Sequence, residues 1–428
     1  MSPDETLDTC RPTGPVDPAY LKEHVSRGFL YNHHRHWIGH TLGAASPRPG
    51  SVQMQTNDYL CLAGDRRIAL AKAGHLLIHG HGDSISRIFA HHRKDNHRAF
   101  EHRVARLMGA EDAVLCMSGY NANTGVIQAF APQDRPVYID VKAHASLWEG
   151  VASAKVTPRP FRHNDPNHLE RQIAKYGPGL VVVDALYSTD GNICPLEDIV
   201  GVAERGDCVI VVDETHSFGC HGDRGEGLTV ALGLADRVHF RTVGLSKAVA
   251  ARGGLVIGSA RNMEFFRYEA WPMIFSTSVL GYEVAGFDKT LDIVIAEPWR
   301  RRKLHRNHAY LRRGLDEVGY NVDACDSQII SIEAGLPEDV IAFREALFAR
   351  DVYGSVFCPP ATAKNRCLMR FTLNCGLTRD DLDRVIEACD QVRDQVGMHR
   401  WRSTRTRTGL AEPAGGGTAL SPQRARAA

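Results

Sequence analysis

Two residues near the middle of the chain, Lys247 and Asp213, have the types and positions to do chemistry together. Lys247 follows the strand-like run 239–243, and Asp213 ends the apolar run 209–213. If both runs are parallel strands of one α/β sheet, the acid and the amine both lie at the edge of the sheet where the carboxyl ends of the strands meet. A lysine can bind the aldehyde of pyridoxal phosphate as a Schiff base, and a carboxylate can keep the pyridine nitrogen protonated. For Lys247 alone, a solvated strand end is the alternative, so the neighbouring residues decide.

Other polar residues follow the remaining strand-like runs of this region. They are Ser118, Gly119 and Tyr120 after 113–117, His144 after 136–140, Ser188 after 180–184, and His216 after 209–213. A Ser-Gly turn that enters a helix exposes backbone N–H groups suited to a phosphate. A histidine ring at a strand end can stack on a flat cofactor, although His144 alone would also fit a hydrogen-bonded loop histidine.

The elements that must position these residues are short, Val- and Ile-rich runs alternating with helical patterns. This alternation predicts an α/β fold with a mostly parallel sheet covered by helices on both faces. A helix over 300–323 and a smaller α+β region follow, with strands near 328–333 and 367–373 and helices over 338–350 and 379–395. The predicted organisation is an N-terminal arm (1–54), a large domain (55–295), a small C-terminal domain (296–402) and a disordered tail (403–428).

Composition narrows the class of protein. The 428 residues are 43% hydrophobic and 24% charged, with a formal net charge of +1, which is typical of a globular protein and favours neither nucleic acid nor an anionic membrane. No apolar stretch is long enough to predict a transmembrane helix, and the acidic start does not resemble a secretory signal. The 11 cysteines form no CxxC pair, so reduced thiols in a cytoplasmic protein are expected.

Two further patterns invite a functional interpretation. Histidines cluster at 33–36, 79–81 and 91–92, but without companion acids or cysteines at ligand spacing they predict solvated loops and no metal site. The basic run 300–303 is typical of a solvated helix start, and the alternative is a contact with the phosphates of coenzyme A.

The order and spacing of the motifs over roughly 50–395 resemble the α-oxoamine synthases. These are fold-type-I pyridoxal phosphate enzymes that condense an amino acid with an acyl thioester and carry a large domain with a seven-stranded type of sheet. The resemblance rests on the segments 57–60, 118–123, 144–150, 163–165, 188–191, 213–216, 246–247, 275–277 and 369–372. Segments 177–179, 327–330, 354–358, 360–362 and 364–365 are most similar to the quorum-sensing autoinducer synthases of that family.

The resemblance implies a role for each candidate residue around the cofactor. Lys247 would form the Schiff base and remove the Cα proton, and Asp213 would pair with the pyridine nitrogen. His144 would stack on the ring, His216 would hydrogen-bond its phenolic oxygen, and Ser188 would lie near that oxygen. The phosphate would be met by Ser118, Gly119, Tyr120 and Ser246, and by Thr277 or Ser276 of the other subunit in a homodimer with active sites at the subunit interface.

For the substrates, the resemblance implies that Arg370 clamps the carboxylate of the amino acid, with Asn57 nearby. An ordinary surface salt bridge is the alternative for Arg370. A small aliphatic amino acid, such as 2-aminobutyrate, and a medium-chain acyl-CoA are the expected substrates. The expected product is an α-aminoketone that serves as the precursor of a hydroxyketone signal.

The chain departs from the family in two places. Many members carry Thr or Ser three residues before the lysine, where Gly244 stands here, so Ser246 or Thr242 is expected to substitute or the phosphate contact is lost. The segment 80–89 replaces a glycine-rich stretch, which leaves the acyl specificity open. Synthases of the serine palmitoyltransferase, 5-aminolevulinate, 2-amino-3-ketobutyrate or 8-amino-7-oxononanoate type remain alternatives, as does a non-catalytic binding protein with the same fold.

Overall fold

The computed structural model describes residues 17–28, 47–82, 85–89, 96–359, 361–401 and 403. The helices are α1 Ala19–Gly28, α2 Arg66–His79, α3 Asn96–Leu107, α4 Gly119–Phe130, α5 Ala145–Ser153, α6 Pro166–Tyr176, α7 Leu196–Arg205, α8 Leu228–Ala231, α9 Ala260–Glu269, α10 Trp271–Ile274, α11 Gly281–Ala296, α12 Trp299–Glu317, α13 Pro337–Phe348 and α14 Arg379–Val392. The strands are β1 Val52–Gln53, β2 Asp112–Cys116, β3 Val137–Asp140, β4 Pro158–Phe161, β5 Leu180–Asp184, β6 Val209–Asp213, β7 Phe240–Gly244, β8 Gly254–Gly258, β9 Ile329–Gly335, β10 Val352–Tyr353, β11 Ser355–Phe357 and β12 Cys367–Thr372. The predicted tail, apart from residue 403, lies outside the described residues.

A seven-stranded sheet in the order β2-β8-β7-β6-β5-β3-β4 confirms the predicted mostly parallel sheet. Four neighbouring pairs, from β7 through β6, β5 and β3 to β4, are parallel, and β8 is antiparallel to both β7 and β2. Every strand except β8 therefore runs in one direction, so six carboxyl ends meet at one edge of the sheet. Polar residues that follow these strands are brought together there.

The central strands are buried on both sides, which explains their continuous apolar sequence. In β5, Val181 and Val183 belong to one apolar cluster, and Leu180 and Val182 belong to another on the opposite face. Successive side chains of a strand point to opposite faces, so each face of the sheet needs its own helical cover. The positions of the strands that carry polar residues are fixed by this two-sided burial.

The edge strand β4, Pro158–Phe161, escaped the sequence analysis. It contains two prolines and is mostly exposed, whereas the predicted strands are apolar runs. Proline is confined to edge strands because it cannot donate to a sheet ladder. Here β4 pairs with β3 on one side only, at the end of the sheet.

A second, three-stranded antiparallel sheet has the order β11-β12-β9. The short parallel pair β1–β10 joins residues before the large sheet to residues after it, and the backbone N–H of Thr372 donates to the Met54 carbonyl at 2.9 Å. This bond brings the end of β12, which carries Arg370, against the segment that leads to Asn57.

The basic run 300–303 is a solvated helix start only in part, since Arg302 is exposed. Arg300 and Arg301 are buried, and Arg300 donates to the Leu60 carbonyl at 2.7 Å. Arg301 donates to the carbonyls of Val294 and Asp223. These two guanidiniums fasten neighbouring segments and are exposed neither to solvent nor to a coenzyme. The helix ends at Glu317, short of the predicted 323, because Gly319 adopts a positive φ of 96°.

Candidate active site

A cavity of about 580 Å³ lies at the edge where the six carboxyl ends meet. It brings together most of the sequence-predicted residues, namely Asn57, Ser118, Gly119, Tyr120, His144, Asp213, His216, Ser246 and Lys247. Thr56, Asn123, Ser146, Asp184, Thr215, Gly244 and Arg252 also contribute to its wall. Lys247 and Asp213 therefore face the same space, as the sequence predicts.

The carboxylate of Asp213 is buried and held by two donors. The amide nitrogen of Asn123 donates to one oxygen at 2.6 Å, and the backbone N–H of Thr215 donates to the other at 2.8 Å. Thr242 donates its hydroxyl to the Asn123 amide oxygen at 2.5 Å, which fixes the orientation of that amide. Asp213 is thus placed by its neighbours before any ligand binds.

His144 is tied to the same network through Ser146. Its backbone N–H donates to Asp184 at 3.0 Å, and its Nδ1 lies 2.7 Å from the Ser146 hydroxyl. Because Asn123 donates to the Ser146 oxygen at 2.9 Å, the Ser146 hydroxyl is free to donate to Nδ1. Burial and the nearby Asp213 charge raise the pKa of Asp184 well above its usual range.

Lys247 follows β7 and is partly buried. Burial and the Arg370 charge lower the pKa of its amine, while Asp213 acts in the opposite direction. A lowered pKa keeps more of the amine neutral near neutrality, as attack on a carbonyl or acceptance of a proton requires.

His216 is buried, and its Nδ1 lies 2.6 Å from the hydroxyl of Tyr59. Burial, together with the charges of Lys247 and Arg370, lowers the pKa of His216 well below its usual value. The backbone carbonyl of His216 accepts a hydrogen bond from Gln328 at 2.7 Å. The imidazole is therefore neutral and fixed in orientation.

One end of the cavity is built from glycines and the start of α4. Ser118 caps this helix by accepting from the N–H of Asn121 at 3.1 Å, and Gly119 is its first residue. A Cβ on Gly119 would lie 2.7 Å from the Cα of Gly244, so the β7 end and the helix start require glycine to approach this closely. A helix N-terminus with open backbone donors fits a phosphate group.

Gly244 stands where many family members carry Thr or Ser, and the close approach of Thr215 explains why this position is a glycine here. The Thr215 hydroxyl accepts from the Gly244 N–H at 2.8 Å, and a Cβ on Gly244 would lie only 3.0 Å from the Thr215 methyl. Thr242 is fully buried and hydrogen-bonded to Asn123, so the expectation that it substitutes is wrong. Ser246 and Thr215, like Ser118, are hydroxyl residues that line the cavity.

Arg370 is buried and makes no salt bridge among the described residues, which rules out the surface salt bridge as an interpretation. One guanidinium nitrogen donates to the Ser188 carbonyl at 2.7 Å, the group lies 4.5 Å from the centre of the Phe357 ring, and Nε is buried without a partner. Burial lowers the pKa of Arg370. The Asn57 side-chain oxygen is also buried without a partner.

Four of the predicted residues do not contribute to the wall of the 580 Å³ cavity, namely Ser188, Ser276, Thr277 and Arg370. Ser188 lines a second cavity of about 720 Å³, whose wall also includes His144. Ser276 and Thr277 follow α10, where the Ser276 hydroxyl donates to the Pro272 carbonyl. Neither Ser276 nor Thr277 contributes to the wall around Lys247 in its own chain.

Several site residues lie within quoted motifs, yet the sequence analysis gave them no role. Asn123, Thr215 and Tyr59 stand in the segments 118–123, 213–216 and 57–60, and each contacts a predicted residue. Their place in these motifs was the available signal; the Thr215 contact with Asp213 is local, whereas the contacts of Asn123 with Asp213 and of Tyr59 with His216 join distant parts of the chain.

The histidine clusters at 33–36 and 91–92 lie outside the described residues. Within the described ranges, no group of three or more His, Cys, Asp or Glu side chains is placed to hold a metal ion. In the same part of the chain, no helix combines the length and the apolar character needed to cross a membrane.

Comparison with known proteins gives consistent results. The model of the family "Aminotransferase class I and II" matches residues 51–389. The CAI-1 autoinducer synthase of Vibrio campbellii is 40% identical over 82% of this chain and 89% of its own, and the 8-amino-7-oxononanoate synthase 1 of Bacillus velezensis is 31% identical over 78% and 86%. A serine palmitoyltransferase from S. paucimobilis with a bound PLP–myriocin aldimine superposes with a TM-score of 0.78 and 25% identity, covering 89% of this chain and 98% of its own.

Proposed function

Since the chain belongs to the α-oxoamine synthase family of pyridoxal phosphate-dependent acyltransferases, we propose that it condenses a small amino acid with a medium-chain acyl-CoA. The products are an α-aminoketone, free coenzyme A and CO2. The similarity to the CAI-1 autoinducer synthase supports the further proposal that the aminoketone is the precursor of a hydroxyketone signal.

The observation that carries this proposal is the buried, unpaired Arg370. A guanidinium withdrawn from water needs an anion, and none of the described side chains supplies one as a salt bridge. The planar carboxylate of an amino acid matches the guanidinium through two parallel hydrogen bonds. The Asn57 side chain, which lines the cavity, offers a further polar contact to the same substrate.

The residues present fit pyridoxal phosphate. These residues line one cavity, where Lys247 would bind the aldehyde, Asp213 the pyridine nitrogen, His144 the ring face, His216 the phenolic oxygen, and the α4 start the phosphate. When bound, the cofactor supplies an electron sink that stabilises a carbanion at the amino acid Cα. Lys247 takes the Cα proton on Nζ, while Arg370 holds the substrate carboxylate in place.

The second cavity supports a place for the acyl chain. Its wall includes the apolar side chains of Trp148, Phe357 and Leu368, and its volume of about 720 Å³ is of the size of a small-molecule site. His144 and Ser188 border it, so a thioester carbonyl near His144 would let the alkyl chain extend into this space. None of the described residues of the segment 80–89, which are 80–82 and 85–89, contributes to the wall of this cavity.

A homodimer is part of the proposal. Ser276 and Thr277 lie beside apolar side chains that are largely exposed, with Trp271 at 64% and Phe275 at 78% exposure. An exposed apolar surface next to candidate phosphate ligands supports a second copy of the chain as the partner. We also propose that residues 55–295 and 296–402 form the large and small domains.

Mixing two inactive subunits tests the shared site. Heterodimers of a Lys247→Ala subunit and a Thr277→Ala subunit have one site free of both changes if Thr277 serves the partner's cofactor. We expect activity to return on mixing, measured as product formation after subunit exchange. If Thr277 serves its own chain, each site carries one change and the mixture stays as inactive as its components.

The reaction itself is tested by mass spectrometry of products from a panel of amino acids and acyl-CoAs of increasing chain length. We expect a mass equal to the amino acid plus the acyl group after loss of CO2, with 2-aminobutyrate and medium chains preferred. Lys247→Ala should lower turnover by about 10³-fold or more, because the amine is both the covalent anchor and the base. Lys289→Ala, a change in the Lys289–Asp292 ion pair of α11, is the control. Preference for serine with long chains, or for another donor, would assign the enzyme to a different branch of the family.

A further inference from the structure

The Tyr59 side chain has no role in the reaction described above, yet it is the only described side chain within hydrogen-bond distance of the His216 ring. Tyr59 lies in the chain segment that joins β1 to α2, and its side chain is fully buried. Its backbone is fixed as well, because the Tyr59 carbonyl accepts from the Cys375 N–H at 2.8 Å. The two rings are tilted by 58° with centroids 6.0 Å apart, so they meet through the 2.6 Å hydrogen bond and not by stacking.

The direction of this hydrogen bond depends on which of the two groups carries the proton. Burial raises the pKa of Tyr59 above its usual value, so the phenol keeps its proton and must donate it. The acceptor that the structure places at the phenol is His216 Nδ1, at 2.6 Å, whereas the Gln328 side-chain oxygen lies 3.3 Å from His221 Nε2. The acceptor of the Tyr59 proton is therefore His216 Nδ1.

A neutral imidazole carries one N–H, and an Nδ1 that accepts leaves that proton on Nε2. The groups that act on His216 are its burial and the charges of Lys247, Arg370 and His144, and all of them oppose a second proton. No hydrogen bond to a described residue engages Nε2, and His216 lines the cavity, so the N–H is available there.

We propose that Tyr59 is a positioning residue that holds the His216 proton on Nε2, so that the ring is a permanent hydrogen-bond donor to the ligand in the cavity. Under the proposed function, on which this part of the inference rests, the acceptor is the phenolic oxygen of the cofactor. Without Tyr59, the proton would distribute over both nitrogens, and part of the population would present a lone pair to that oxygen.

The first test locates the proton on the His216 ring directly. NMR of the full chain with 15N-labelled histidine, with the His216 signals identified by their loss in His216→Gln, reports which nitrogen carries the proton. We expect Nε2–H in the wild type and a mixture of tautomers in Tyr59→Phe, which keeps the ring and removes only the hydroxyl. Tyr138→Phe is the matched control, since Tyr138 is equally buried but donates to the Gly177 carbonyl at 2.5 Å. A wild-type His216 protonated on Nδ1 overturns the inference.

The second test follows the visible absorption of the cofactor-loaded protein against pH. Losing a well-ordered donor should shift the titration midpoint of that band by about 0.5–1 pH unit in Tyr59→Phe, with no shift in Tyr138→Phe. An unchanged midpoint in Tyr59→Phe, with Nε2–H retained, also overturns it. If the wild type binds no cofactor, the proposed function fails, while the NMR result still decides the role of Tyr59.

Discussion

The two sides of the catalytic cleft differ in how far the protein satisfies its own polar groups. Around Asp213, the side chains of Asn123, Ser146 and Thr242 form a closed set of hydrogen bonds. Around Arg370, the guanidinium Nε and the Asn57 oxygen are buried without partners. A buried unsatisfied group costs about 1–3 kcal/mol, so the second arrangement is unfavourable unless a ligand completes it.

This contrast separates a resident group from a transient one. The Asp213 side is organised in advance, which lowers the cost of binding a cofactor that stays in place. The Arg370 side keeps its binding capacity unused, so a carboxylate that enters gains strong contacts and can leave again. Changes on the first side should therefore mainly damage chemistry, and changes on the second should mainly damage substrate affinity.

Among the changes that compare the two sides of the cleft, the largest effect is expected for Asp213→Asn. The substitution removes the charge proposed to pair with the pyridine nitrogen and places an amide opposite the Asn123 amide nitrogen. Breaking a buried charge pair costs about 3–5 kcal/mol, so turnover should fall by roughly 10²–10⁴-fold, while the proposed covalent anchor at Lys247 would retain the cofactor. Steady-state rates with the cofactor content of each preparation measure this. Asp198→Asn, an exposed change in α7, is the control, and near-normal turnover in Asp213→Asn would contradict the role.

A smaller effect is expected for Arg370→Lys, and it should appear mainly in the KM for the amino acid. A lysine cannot reproduce two parallel hydrogen bonds to a carboxylate, so the KM for the amino acid should rise about tenfold or more, roughly 1.4 kcal/mol. The acyl-CoA KM should change much less, because the acyl chain is assigned to the other cavity. The value of kcat should also fall, since the carboxylate orients the Cα–H bond.

Measured KM values for both substrates distinguish the two sides of the cleft. Arg205→Lys offers a matched control, because Arg205 has a partner in Glu170 at 2.8 Å and lines neither cavity. A raised acyl-CoA KM with an unchanged amino acid KM in Arg370→Lys would show that Arg370 faces the thioester and would reverse the assignment of the two cavities.

The sequence predicted the strands that are buried on both faces and missed what depends on distant contacts. Runs such as 180–184 and 209–213 have the bounds predicted for them because their apolar character is local. The strand β4 was not predicted because it contains two prolines. Arg301 was predicted to be solvent-exposed because of its charge, but it is buried. The bond between Tyr59 and His216 joins residues 157 positions apart, and no local periodicity records such a pair.

The smallest effect concerns the pH dependence of stability that two neutral histidines, His221 and His308, produce. Burial lowers the pKa of His308 to about 4 and that of His221 to about 3, against about 6.5 in the unfolded chain. The unfolded chain therefore binds protons that the folded chain does not, so stability is complete above pH 6.5 and falls as the pH drops below it. Asp184, whose pKa burial raises, acts in the opposite direction, so the contribution of one histidine needs a mutant difference.

His308→Gln isolates this contribution. His308 donates from Nε2 to the Cys325 carbonyl at 3.0 Å, and a glutamine amide can offer the same donor without titrating. Between pH 7 and pH 6, the variant should lose about 0.7 kcal/mol less unfolding free energy than the wild type, measured by urea denaturation. His399→Gln, at an exposed position, should leave the wild-type pH dependence unchanged. An equal loss in His308→Gln and the wild type would mean that His308 is protonated in the folded protein and that its burial in α12 does not keep it neutral.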